Sequence, residues 1–187
     1  FMEGVLIVDK AFVLICQGRP RDALALLPAA AQVLEAEPPL YTANRLVCAA
    51  LAHRLNGDLA AARRSTAEAI ALVTPDDFDN PEWPLEEFYW CCYCALSPQL
   101  PANGAIAPDV ERWRLLDLAR QALFAPVSRL SDSGLQRGYL HRPAHRRLLI
   151  HEWLKWAPVH AAADAPAAHA AEVRRVSRLS EIFRHLV

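Results

Sequence analysis

Apolar residues recur at helical spacing along most of this chain. Val5, Val8, Phe12 and Ile15 share one face of a helix predicted from about Glu3 to Cys16. Gly18 and Pro20 then turn the chain. A second helix is predicted from Arg21, carrying Ala23, Leu24, Leu27, Ala30 and Leu34, with a kink or local irregularity expected at Pro28. Pro38 and Pro39 close this first hairpin. The plan then repeats, with a helix from Tyr41 to Leu55, a turn at Gly57, and Asp58 placed to cap a helix reaching about Val73. Further helices are predicted over Leu85 to Leu96, Val110 to Phe124, His145 to Trp156 and Glu172 to Val187, with a short segment from Ser131 to Leu140 between them. Alternating β-branched runs that would build a sheet are missing, so the fold class is all-α.

In both hairpins a glycine is followed by small or apolar residues at one fixed spacing: Gly18, Ala23, Leu27 and Ala30, then Gly57, Ala62, Thr66 and Ala69. Small side chains at those positions let a second helix press closely on its partner. The pattern resembles the tetratricopeptide repeat. The resemblance implies antiparallel helical hairpins stacked as a right-handed superhelix, with a C-terminal helical extension. It rests on residues 1 to about 73. The tryptophan and tyrosine usual in the first helix are replaced by Ile7 and Leu14 in one hairpin and by Leu46 and His53 in the other. The usual period is about 34 residues, whereas Gly18 and Gly57 are 39 apart, which places the excess in the connection from Glu35 to Leu40. Residues 85–124 read as a divergent third hairpin, with Ala119 and Leu123 in second-helix positions and no preceding glycine turn. The domain reading is therefore a repeat region over 1–126 and a helical extension over 127–187.

A second resemblance lies in Ser131-Asp132-Ser133-Gly134-Leu135-Gln136-Arg137, followed by Tyr139-Leu140 and His145-Arg146-Arg147-Leu148, and in Leu179 to Leu186. These stretches look like the segment that ends helical-repeat regions in bacterial multidomain signalling proteins, ahead of a GAF-type sensor domain. What this implies is a regulatory module of a histidine kinase or nucleotide cyclase. The start at Phe1 ahead of Met2, and the end at Val187, read as an excised piece of such a protein.

Charge adds an asymmetry that the formal net of -1 conceals. Residues 1–108 hold 7 Lys/Arg and 13 Asp/Glu, a net of -6, and the remainder holds 13 and 8, a net of +5. Packing of the halves on one another is the favoured explanation, ahead of head-to-tail self-association or an anionic partner. The 5 cysteines are an odd number, with Cys91, Cys92 and Cys94 crowded together, which suits a reducing compartment and a cytoplasmic location. Pro28 and Gln32 interrupt the longest apolar run well short of the roughly 20 residues of a spanning helix, so no membrane is expected.

Candidate chemistry is sparse. Cys91 and Cys94 could share a helix face as a thiolate pair, but a structural metal site needs four ligands and no second pair follows. Buried cysteines are the preferred reading. His141, His145 and His151 are read, with Arg142, Arg146 and Arg147, as a solvated basic surface. Asp76, Asp77 and Asp79 are read as a capped acidic turn, since the glycine and final glutamate of a calcium loop are missing. Tyr41, Trp83, Trp90, Trp113, Trp153 and Trp156 are read as packing aromatics. No metal, cofactor or catalytic residue is assigned.

The tetratricopeptide resemblance implies that the first helix of each hairpin lines a concave binding groove. Alignment on the turn glycines then selects Val5, Asp9 and Phe12 in one hairpin and Asn44, Cys48, Leu51 and Arg54 in the next. Asn44 would pair an extended peptide backbone, and Arg54 would anchor a charge. The expected function is a non-catalytic interaction module of a signal-transduction protein, holding a protein or peptide segment or a neighbouring domain. The alternative is a structural spacer that forms a homodimer through the heptad-like seam of Val173, Val176, Phe183 and Val187. Nucleic acid is not favoured as a partner.

Overall fold

The chain reverses direction at Gly18 and Gly57 by one and the same device. Gly18 N–H donates to Ile15 O (3.0 Å) and Arg19 N–H to Leu14 O (2.8 Å); Gly57 N–H donates to Arg54 O (2.9 Å) and Asp58 N–H to His53 O (2.9 Å). This is the Schellman pattern, in which a left-handed residue satisfies the last helical carbonyls. Both glycines have positive φ, 72° and 84°, a region that costs an L-residue about 1–2 kcal/mol. A Cβ at position 57 would meet no atom within 4 Å, so the cost of Gly57→Ala is backbone strain alone. Chemical denaturation of that variant should show a loss of about 1–2 kcal/mol, with Gly57→Asn losing less; equal losses would contradict the turn argument.

The structure is a computed structural model, and it describes residues 2–74, 77, 84–97, 109–160 and 166–181. Among these residues there are nine helices and no strand: α1 (Met2–Cys16), α2 (Pro20–Leu34), α3 (Pro39–Leu55), α4 (Leu59–Ala71), α5 (Leu85–Leu96), α6 (Val110–Val127), α7 (Ser133–His141), α8 (Ala144–Trp156) and α9 (Pro166–Glu181). The fold is all-α. Two compact units divide the chain, Phe1–Pro84 with Cys91–Ala105 and Leu85–Trp90 with Ile106–Val187. The division falls inside α5, so α6, which a boundary at residue 126 groups with the repeats, belongs to the second unit.

In the first unit α1 packs on α2, α2 on α3 and α3 on α4, and α1 also meets α3. The alanines carry these crossings. Ala23, Ala30, Ala62 and Ala69 are each 0% exposed, because a methyl group is as much as the close approach of two helices leaves room for. Ala11 and Ala50, at the same offset in α1 and α3, are likewise 0% exposed, and so is Ala43. Gly4, which corresponds to Ala43, lies beneath Leu34: a Cβ there would stand 2.7 Å from Leu34 Cδ2. Asp58 caps α4 as expected, accepting from Ala61 N–H at 2.9 Å. Helix α2 continues through Pro28, an exposed position.

In the second unit α6 packs on α7 and α8, and α8 packs on α7 and α9. Leu116, Ala119, Leu123, Leu140, Leu149, Ala157 and Val176 are 0% exposed, and Trp153 is 1% exposed. Asp109 caps α6 through Arg112 N–H (2.9 Å), and Asp132 caps α7 through Leu135 N–H (2.8 Å). These caps satisfy helix-start donors that would otherwise be orphaned.

Candidate functional site

The groove positions separate sharply by burial. Asp9 is exposed, and Val5, Phe12, Asn44 and Arg54 are half-buried. Cys48 is 2% and Leu51 9% exposed, so these two are core residues and present no surface to a partner. The cause is the position of α3, which is packed against α1, α2 and α4 together. Asp9 and Cys48 occupy the same place in the two hairpins, yet α1 packs on α2 and α3 whereas α3 packs on α1, α2 and α4. Equivalent register positions therefore have opposite environments in α1 and α3.

Arg54 is also partly engaged. Its Nε donates to Ser97 O at 3.1 Å, at the C-terminus of α5, where a cation suits the negative end of the helix. Ser97 Oγ donates back to Tyr93 O at 3.0 Å. What remains available on this face is an apolar pair, Val5 and Phe12, with the carboxylate of Asp9 and the amide of Asn44.

The second unit holds the strongest polar chemistry. Arg146 is not part of a solvated basic surface: its Nε and Nη2 donate to Glu86 Oε1 at 2.9 and 2.6 Å, and its Nη1 donates to Tyr139 O at 2.7 Å. The guanidinium also lies 3.9 Å from the Tyr139 ring centroid. Glu86 is 4% exposed, so this is an internal ion pair joining a residue of the acidic half of the sequence to one of the basic half. Burial first, and then the negative charge of Glu86, raise the Tyr139 hydroxyl above its ordinary value. Sequence reasoning grouped Arg146 with Arg142 and Arg147 because the three lie within six residues of chain; Arg142 and Arg147 are indeed exposed. Burial, Arg147 and Arg137 push His141 down to about 4, which leaves it neutral at pH 7.

A second network centres on Trp153. Its Nε1 donates to Asp117 Oδ1 at 3.0 Å, Arg120 Nε donates to the same oxygen at 2.9 Å, and Arg120 Nη1 donates to Glu172 Oε1 at 2.7 Å. Glu172 also accepts from Arg175 Nε (2.7 Å) and Nη2 (2.8 Å). Burial works to raise Asp117, but Arg120, Gln121 and Trp153 together hold it below the usual carboxylate value. Trp113 stacks on Trp153 at 6.1 Å and on His160 at 4.7 Å. These are packing aromatics. Val176 of the heptad-like seam is consumed in the core of the same unit, while Phe183 and Val187 lie outside the described residues.

Two of the cysteines are core residues, whereas Cys91 and Cys94, read as buried, are half-buried, and Cys16 is exposed. Cys92 is 0% and Cys48 2% exposed, and burial, reinforced by Cys94, raises the Cys92 thiol strongly. Among the described residues no group of three or more His, Cys, Asp or Glu could hold a metal ion. Asp77 accepts from Thr74 N–H (2.6 Å) and Oγ1 (2.9 Å) as a turn cap would; Asp76, Asp79 and Trp83 lie outside the described residues, as does 98–108, the α5–α6 connection. No helix among the described residues is long and apolar enough to cross a membrane. No protein-family model, curated protein or solved structure matches the chain.

Proposed function

We propose that the chain is a non-catalytic interaction module, a tetratricopeptide-like array within a bacterial signal-transduction protein, that holds an extended protein or peptide segment or a neighbouring domain. The observation that supports this reading is the recurrence in the first unit. Two hairpins close through the same glycine turn and nest through alanines that are 0% exposed at matching positions. Stacked hairpins of this kind create a face wider than either hairpin alone, and such faces serve for binding.

The recognition surface is the α1/α3 face with Val5, Asp9, Phe12 and Asn44. Val5 and Phe12 would take an apolar side chain, and Asn44 offers both an amide donor and an acceptor to a peptide backbone. Peptides selected from a random phage-displayed library against the purified chain test this. Asn44→Ala should weaken a selected peptide about three- to tenfold, the value of one hydrogen bond lost at a partly desolvated site, and Phe12→Ala should weaken it further. Selected peptides that bind both variants as tightly as the parent would remove this face as the recognition surface.

A further inference from the structure

Helix α9 turns three arginines towards an open cleft of about 520 Å³ that is lined by Gln136, Ala171, Arg174, Arg175, Arg178 and Leu179. No carboxylate is among the lining residues. Glu172, one turn away, is already committed to Arg120 and Arg175. Arg174 and Arg178 make no ion pair among the described residues and are exposed. They are four residues apart, which brings their Cβ atoms to within about 5–6 Å of each other on one helix face, so both guanidiniums can converge on one anionic group. Gln136 on α7 spends one amide hydrogen on Leu130 O at 2.6 Å and keeps the other to donate. Leu179 and Ala171 supply an apolar wall beside this donor set.

We infer that the α7–α9 cleft of the second unit is a binding site for a small organic phosphate, with Arg174 and Arg178 clamping the phosphate and Leu179 and Ala171 receiving the apolar body of the ligand. Guanidinium forks match the several acceptor oxygens of a phosphate, and a cleft of this volume is of the size that takes a small molecule. The neighbouring surface of α7 is positive as well, since Arg137 helps to depress His141. Glu172 is taken up by Arg120 and Arg175, which leaves Arg174 without that carboxylate two residues before it.

Titration of the ¹⁵N-labelled full chain with phenyl phosphate, inorganic phosphate and phenylacetate tests the assignment. Phenyl phosphate should perturb the amides of Gln136, Arg174, Arg178 and Leu179, and should bind about five- to tenfold more tightly than inorganic phosphate because its ring is partly buried. The Arg174→Ala, Arg178→Ala double variant should bind at least about tenfold more weakly, with an unchanged helical circular-dichroism spectrum because both side chains are exposed. Retained affinity in the double variant, perturbations confined to other helices, or equal binding of phenylacetate would overturn the site. A phosphoserine peptide that binds where phenyl phosphate does not would overturn the small-molecule reading.

Discussion

Arg146→Ala is expected to destabilise the protein by about 3–5 kcal/mol, the cost typical of leaving one member of a buried ion pair without its partner. Glu86 is the residue stranded: it is 4% exposed, and its Oε1 receives two guanidinium bonds at 2.9 and 2.6 Å. The same substitution removes the donor to Tyr139 O and the cation over the Tyr139 ring, so α7 loses one of its ties to α8. Replacing both charges, as in Glu86→Leu with Arg146→Met, should recover most of the loss, since apolar groups of similar volume often serve as well as a buried pair. Urea denaturation of the single and double variants provides the check. A cost below about 1 kcal/mol for Arg146→Ala would place the pair among solvated ones and undo the description of Arg146 as internal.

Trp153→Ala should cost a similar amount, about 3–5 kcal/mol, through the cavity left in the second unit. The indole is 1% exposed, stacks on Trp113 and lies under Arg120 at 5.1 Å. Trp153→Phe keeps part of the bulk and removes the N–H, which isolates a second effect. Asp117 has a lowered folded-state pKa, so its carboxylate contributes stability that is full above its unfolded value and disappears as pH falls through the folded one. Without the indole donor the folded value rises towards the ordinary range. Acid unfolding of Trp153→Phe should therefore begin at a higher pH than in the parent, followed by far-ultraviolet circular dichroism. An unchanged acid transition would mean that Arg120 and Gln121 alone hold the carboxylate ionised.

Much of the first unit is legible in the sequence because its signals are local. A positive-φ turn needs glycine, a helix start needs a side-chain acceptor such as Asp58, and two helices in close contact need small residues at fixed spacing; each is written within a few positions. The candidate groove was legible only in part. Its members came from register, and register assigns a direction to a side chain without saying whether another helix stands in that direction. Cys48 and Leu51 are covered because α3 lies between neighbours, while Asp9 at the matching position of α1 is exposed. Arg54 turned to the carbonyl end of α5, a partner 43 residues away that no short-range pattern announces.

Local chemistry in the chain thus settled the helical class, the two glycine turns and the caps, since each depends on interactions within one or two helical turns, and the small residues at fixed spacing marked which helix faces come close. Which arginine is internal and which is solvated was settled by packing alone. Arg146 and Arg147 are neighbours in the chain with opposite fates, because a helix sends consecutive side chains about 100° apart and only one of those directions holds Glu86. The need for glycine at position 4 beneath Leu34, and the reach of Arg120 to Glu172, have the same origin: both arise from residues distant in the chain and adjacent in space.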